Sequence, residues 1–120
     1  MPYNKLTKRE SEVMQILWDN DEDMSANDIM MKSSGISMTT TQQLLQKLLK
    51  MNFVYVSSIG KNKKAITRLY RPSVSEADYI SSFINQNTSM KIASNFIEQT
   101  DDDEVLDKLS KLIEEKRKSR

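Results

Sequence analysis

The sequence contains no cysteine and no histidine. Without cysteine there is no disulfide framework and no thiolate for metal or redox chemistry. Without histidine the commonest general base and the commonest metal ligand are both missing. Proline and glycine occur only twice each, so long irregular segments are not expected. No apolar run approaches the roughly 18 residues a bilayer requires, and no charged-then-apolar leader opens the chain. The expectation is a cytoplasmic protein that is not an enzyme, holds no metal or cofactor and does not insert into a membrane. Serine, lysine and carboxylates remain as candidate catalytic groups, and they form no recognisable constellation. What is abundant are helix formers: Leu, Lys, Glu, Gln and eight Met. At 120 residues the chain has room for one compact unit with a modest appendage.

A net charge of +1 conceals an asymmetry. Residues 1–72 hold 11 Lys and Arg against 7 Asp and Glu, whereas residues 73–120 hold 7 against 10. Within residues 32–72 lie Lys32, Lys47, Lys50, Lys61, Lys63, Lys64, Arg68 and Arg71, and no carboxylate at all. A basic stretch of that kind suits a polyanionic surface. An ordinary solvated face is the competing reading of charge alone.

Local signals divide the first part into three short helices and a hairpin. Thr7-Lys8-Arg9-Glu10 has capping-box spacing, and Val13, Met14, Leu17 and Trp18 supply an apolar face. The polar run Asp19 to Asp23 ends that helix. A second helix starts at Ser25-Ala26-Asn27-Asp28, turns Ile29 and Met30 inward and stops near Gly35. Ser37 caps a third, in which Thr41, Leu44, Leu45 and Leu48 fall on one stripe. The opposite face carries Thr39, Gln43, Gln46 and Lys50, with Gln42 and Lys47 at its edges. Amides and hydroxyls at such positions hydrogen-bond base edges, and lysine reaches phosphate or guanine. Two short helices leading into a third of this kind indicate helix-turn-helix organisation. Residues 53–59 are β-branched and aromatic, Gly60 to Lys64 form a basic turn, and residues 65–71 are strand-like again up to Pro72. That is a β-hairpin wing, with Lys61, Lys63 and Lys64 at its tip and Arg68 on the return strand. The expected fold is therefore mostly α with a small β-hairpin wing. Residues 1–72 form a winged helix-turn-helix domain, with Thr39, Thr40, Gln42, Gln43, Gln46, Lys47, Lys50, Lys61, Lys63, Lys64 and Arg68 as the DNA-contacting set.

Beyond Pro72 the pattern is purely helical. Ser75 to Asp78 starts one helix, with Tyr79, Ile80, Phe83 and Ile84 apolar. Asn85-Gln86-Asn87-Thr88 reads as a break, and Ser89 to Ile97 as a second helix with Ile92, Ala93, Phe96 and Ile97 apolar. Asp101 to Glu104 suits a helix N-terminus, followed by Val105, Leu106, Leu109, Leu112 and Ile113 at helical spacing. About 45 residues cannot hide three apolar faces unaided. A second copy of the chain is the simplest cover, making residues 73–120 a helical dimerisation segment with Ile80, Phe83, Ile92, Phe96, Leu106, Leu109, Leu112 and Ile113 at its interface.

These segments, taken in order, resemble the penicillinase and methicillin-resistance repressors and their copper-responsive relatives. Glu12-Val13-Met14-Gln15-Ile16-Leu17-Trp18 is similar to that family's opening helix, and Ser25-Ala26-Asn27-Asp28-Ile29 to its second. Thr39 to Leu48 resembles its recognition helix, typically Thr-Thr-Val-Gln-Thr-Leu-Leu-Lys-Arg-Leu. Tyr70-Arg71-Pro72 with Asp78-Tyr79 looks like its exit from the wing, and Asn95-Phe96-Ile97-Glu98 like the stretch cut in repressors governed by a sensor protease. The resemblance implies a homodimeric repressor on a two-fold, double-stranded operator, controlling β-lactam resistance genes. It also implies a membrane sensor protease system as a further partner, with Asn95–Phe96 as the cleavage site. Asn52 stands where the family usually has glycine, and asparagine tolerates the left-handed turn. Thr41 replaces an aliphatic residue, and Gln42 and Gln43 differ from the Arg-Thr of the staphylococcal type, so a different operator sequence is expected. Copper sensing through paired C-terminal cysteines is excluded by the composition. The alternatives are a repressor of the same family answering another signal, and a winged-helix module that binds protein.

Overall fold

The computed structural model describes residues 3–62 and 65–120, with the backbone alone for residues 61, 62 and 65. Helices α1 (Lys8–Asp19), α2 (Ala26–Lys32) and α3 (Met38–Lys50) precede strands β2 (Val54–Asn62) and β3 (Ala65–Pro72). A two-residue strand β1 (Met24–Ser25) lies between α1 and α2. Helices α4 (Glu76–Ser81), α5 (Gln86–Gln99) and α6 (Asp103–Lys118) follow the sheet. The helical character, the small antiparallel sheet and the hairpin after α3 are those of a winged helix, as expected from the sequence.

Each of the first three helices starts where its cap dictates. Thr7 Oγ1 accepts from the Glu10 N–H at 3.2 Å and Glu10 Oε1 accepts from the Thr7 N–H at 2.9 Å. Ser25 and Asp28 repeat this reciprocal box at α2, at 3.1 and 3.0 Å. Ser37 Oγ accepts from the Thr40 N–H at 3.1 Å to open α3. Each arrangement satisfies backbone donors that a helix N-terminus otherwise leaves unpaired. Gly35 takes φ +100° after α2 and Asn52 φ +62° after α3, the left-handed geometry that glycine and asparagine accept most readily. At the second of these turns the Phe53 N–H reaches back to the Leu48 carbonyl at 2.9 Å.

The core gathers Val13, Met14, Ile16 and Leu17 of α1, Ile29 of α2, Leu45 and Leu48 of α3, and Met24, Phe53, Val54 and Tyr70 from the sheet region. Thr41 lies within the α3 stripe, fully buried, and its hydroxyl is satisfied by donating to the Ser37 carbonyl at 2.8 Å. A polar residue at an aliphatic position is thereby made compatible with the core. Among the described residues no buried side-chain nitrogen or oxygen lacks a partner.

The sheet order is β1-β3-β2, antiparallel throughout. Strand β1 pairs Met24 with Tyr70 and Ser25 with Leu69, an element too short to carry a periodic signal. A register shift between Val56 and Ser58 leaves Ser57 as an extra residue opposite β3. Such a bulge bends the strand and increases its twist.

The chain divides into two compact units, residues 1–83 and 84–120. The first is longer than the expected 1–72 segment by α4, which an aromatic cluster holds in place. Tyr79 accepts from the Leu6 N–H at 2.8 Å, and its ring lies 5.8 Å from those of Trp18 and Phe53 and 4.9 Å from that of Phe83. Trp18 Nε1–H donates to the Val74 carbonyl at 2.8 Å. Phe83 is thus half-buried within this unit, while Ile80 stays exposed.

The second unit consists of α5 and α6, and neither contributes a buried residue. The break expected over residues 85–88 is shorter than that. Asn85 accepts from the Thr88 N–H at 2.8 Å and caps α5, so residues 86–88 form its first turn. Asp102 caps α6 by accepting from the Glu104 N–H at 3.0 Å. Ile92, Phe96, Leu112 and Ile113 are exposed, and Leu106 and Leu109 half-buried. Asn95 and Phe96 lie within α5 at the start of its last turn, where the Phe96 carbonyl accepts from the Thr100 N–H at 3.0 Å.

Candidate nucleic-acid interface

The outward face of α3 and the return strand of the wing enclose a groove of about 830 Å³. Thr39, Gln42, Gln43, Gln46, Lys47 and Lys50 line it from α3, and Ile66, Thr67, Arg68 and Tyr70 from β3. Ser25, Ala26 and Asn27 at the start of α2 complete one end with Met38. Among the described residues, no lining residue carries a carboxylate. The buried stripe of Thr41, Leu45 and Leu48 fixes which side of α3 turns to solvent. The amides of Gln42, Gln43 and Gln46 consequently point outward as a row of donors and acceptors with cations beside them. Amide groups with both functions match the paired donor and acceptor of adenine in a major groove, and lysine and arginine match phosphate.

Seven of the eleven expected contact residues meet in this one groove: Thr39, Gln42, Gln43, Gln46, Lys47, Lys50 and Arg68. Thr40 is half-buried at the helix start, with Oγ1 accepting from Ser37 Oγ–H at 3.0 Å. Lys61 belongs to β2 and pairs with Ile66 across the ladder. Lys63 and Lys64 lie outside the described residues. Ser25, Asn27, Ile66 and Thr67 join the lining without any sequence signal, because only the tertiary approach of α2 and the wing to α3 brings them there.

Among the described residues, Lys47 and Arg71 of the carboxylate-free stretch are paired with carboxylates from before it. Lys47 Nζ lies 2.8 Å from Glu10 Oε2, and the Glu10 side chain is only 3 % exposed. Burial pushes the Glu10 carboxyl up, but the hydrogen bonds from Lys47 and from the Thr7 backbone outweigh it and hold the group below the usual carboxylate range. Arg71 is 2.9 Å from Asp21 Oδ1 through Nη1 and 2.5 Å from Asp23 Oδ1 through Nε. These hydrogen bonds, that to Asp23 foremost, hold the guanidinium above its ordinary value. Lys47 therefore reaches the groove by its stem while its charge is shared with α1.

Glu10→Gln is expected to lower unfolding stability at neutral pH by about 1 kcal/mol, below the roughly 1.5–3 kcal/mol of hydrogen bonds to charged groups, since Lys47 is solvent-exposed enough to be screened. The native carboxyl titrates below its ordinary value of 4.5. Its contribution is complete above that value and is lost as pH falls through the folded one. Urea titrations run from pH 7 downward should accordingly show the variant's deficit at neutral pH and its decline once pH falls below 4.5. A deficit that stays constant through the acid unfolding of the chain would mean that the carboxylate charge is not what stabilises.

The model of the penicillinase repressor family matches residues 6–115. No curated protein sequence matches the chain. Among solved structures, the chain is similar to the adhesin competence repressor of Streptococcus pyogenes, at a TM-score of 0.45 and 13 % identity, over 93 % of this chain and 80 % of that one. With the family match spanning the winged unit and both helices beyond it, the chain belongs to the penicillinase repressor family and is a DNA-binding transcriptional repressor.

Proposed function

We propose that the protein is a homodimeric repressor of β-lactam resistance genes which reads a pseudo-palindromic operator and is inactivated by cleavage at Asn95–Phe96. The observation that carries the DNA-reading part is the carboxylate-free groove in which the α3 amides and Lys50 face Arg68 of the wing. The α3 row reads bases in the major groove, and Lys50, Arg68 and the wing tip hold the backbone. Half-sites then lie one or more helical turns apart, as a two-fold dimer demands. The apolar faces of α5 and α6 supply the dimer contact. β-Lactam control and the sensor protease rest on family membership.

Selection from a random duplex pool, followed by titration at several salt concentrations, tests the assignment. Gln43→Ala should cost about 1–3 kcal/mol on the selected site and relax base preference at one position. Lys50→Ala should weaken selected and mixed-sequence duplexes alike, and reduce the slope of log affinity against log salt by about 0.9. If the two variants lost affinity in the same proportion on both duplexes, the division into base reader and phosphate contact would be wrong.

A further inference from the structure

The wing is a two-stranded ribbon for most of its length, and a two-stranded ribbon standing alone is only marginally stable in water. Its root is fixed: Met24, Val54 and Tyr70 are buried, and β1 pairs with β3 there. Its outer part, residues 58–62 and 65–69, is held by β2–β3 pairing. Between root and ribbon lies the bulge at Ser57, the place where the strand bends. One side chain from outside the ribbon grips this joint. Asp23 accepts from Ser57 Oγ–H at 3.0 Å through Oδ1, from Ser58 Oγ–H at 3.1 Å through Oδ2, and from Arg71 Nε–H at 2.5 Å. It thus ties both strands to the loop after α1. Asp21 holds the other end of Arg71 at 2.9 Å. The same hydrogen bonds, that of Arg71 first, keep the Asp23 carboxyl below its usual range.

We infer that Asp23 is a positioning residue for DNA reading: by clamping the bulge it sets the direction of the wing, so that Arg68 and the α3 face meet one duplex together. The inference rests on the DNA-reading assignment above. Asp23 lines no part of the groove, so its effect is exerted through the joint. Freeing the bulge spreads the wing over several directions, and apparent affinity falls with the fraction that remains competent.

Simple electrostatics demands the opposite sign. Asp23→Asn removes an anion from a protein that binds a polyanion and loosens a guanidinium from its partner. Both changes favour DNA. The direction of the effect therefore separates the two accounts. The full chain, its Asp23→Asn variant and a Ser57→Ala, Ser58→Ala double variant are titrated on the duplex selected by the wild-type chain, with circular dichroism confirming the fold. Asp23→Asn is expected to bind about tenfold more weakly, the loss if the competent fraction falls to roughly one tenth. Its salt slope should also be shallower, because wing contacts to phosphate are lost. The double variant leaves every charge in place and should lose affinity in the same direction; it decides the matter if Asp23→Asn does not fold. Affinity equal to or above wild type in the folded variants overturns the inference. Failure of the wild-type chain to select any duplex would instead remove the DNA-reading assignment on which it stands.

Discussion

Leu48→Ala is expected to destabilise the first unit by about 2–5 kcal/mol, the cost of deleting a buried leucine whose cavity closes only in part. Leu48 is completely buried in the cluster that joins α1, α2 and α3. Its backbone carbonyl accepts the Phe53 N–H at 2.9 Å, so the same residue anchors the turn into the wing. For a domain of this size each kcal/mol corresponds to about 4–8 °C in thermal midpoint, so a fall of roughly 10 °C or more follows. The sole tryptophan, Trp18, lies in this unit, and its fluorescence reports unfolding there independently of α5 and α6. The exposed α3 face is unchanged by the substitution. At a temperature where the variant is still folded, DNA affinity should remain near that of the wild type. A midpoint shift of only a degree or two would mean that the inner stripe of α3 is not packed as a core.

The stripe itself was legible because helical periodicity and caps are local. Thr7, Ser25, Ser37, Ser75 and Asp102 each precede a helix at the expected place. The left-handed turns at Gly35 and Asn52 likewise follow from residue type. The unread features all depend on partners distant in sequence. Strand β1 has two residues and exists through its pairing with Tyr70 and Leu69. The bulge at Ser57 becomes visible only against β3. Tyr79, an apolar residue of the helix after the wing, completes a cluster with Trp18 and Phe53.

The candidate site shows the same division in its charges. Counting residues 32–72 gives eight cations and no anion, and the count is right along the chain. In space, Glu10 reaches Lys47 and the Asp21–Asp23 loop reaches Arg71. The capping box had marked Glu10 as the residue that turns back to Thr7. Its second carboxylate oxygen is left to face α3, where burial makes a cationic partner necessary. The candidate surface is therefore narrower in charge than the sequence suggests, and the proposed reading role rests more on the glutamines, Lys50 and Arg68.

A chain ending at residue 95 is expected to bind a two-half-site operator about 10²–10⁴ more weakly than the full chain, the factor by which linking two readers raises effective concentration. Residues 84–120 bury no side chain of their own in α5 or α6, yet Ile92, Phe96, Leu112 and Ile113 present apolar surface. A second copy covers such faces most simply. The full chain should sediment at about twice its 13.9 kDa mass, and the truncated chain as a monomer. Cleavage at Asn95–Phe96 removes the last turn of α5 and all of α6. Every groove-lining residue precedes Phe83 and stays within the first unit. Under the proposed mechanism such a cut would preserve the reader and remove the link between two readers, so that a cut remote from DNA would relieve repression. A protease binds extended chain, whereas this bond lies in hydrogen-bonded helix, so cutting requires local opening of α5. Its rate should rise in variants that weaken that helix, such as Ala93→Gly, which costs about 1 kcal/mol of helix propensity. Equal operator affinity of the two chain lengths would refute the mechanism, and so would an intact chain, weighed by mass spectrometry, in cells whose target genes the antibiotic has already switched on.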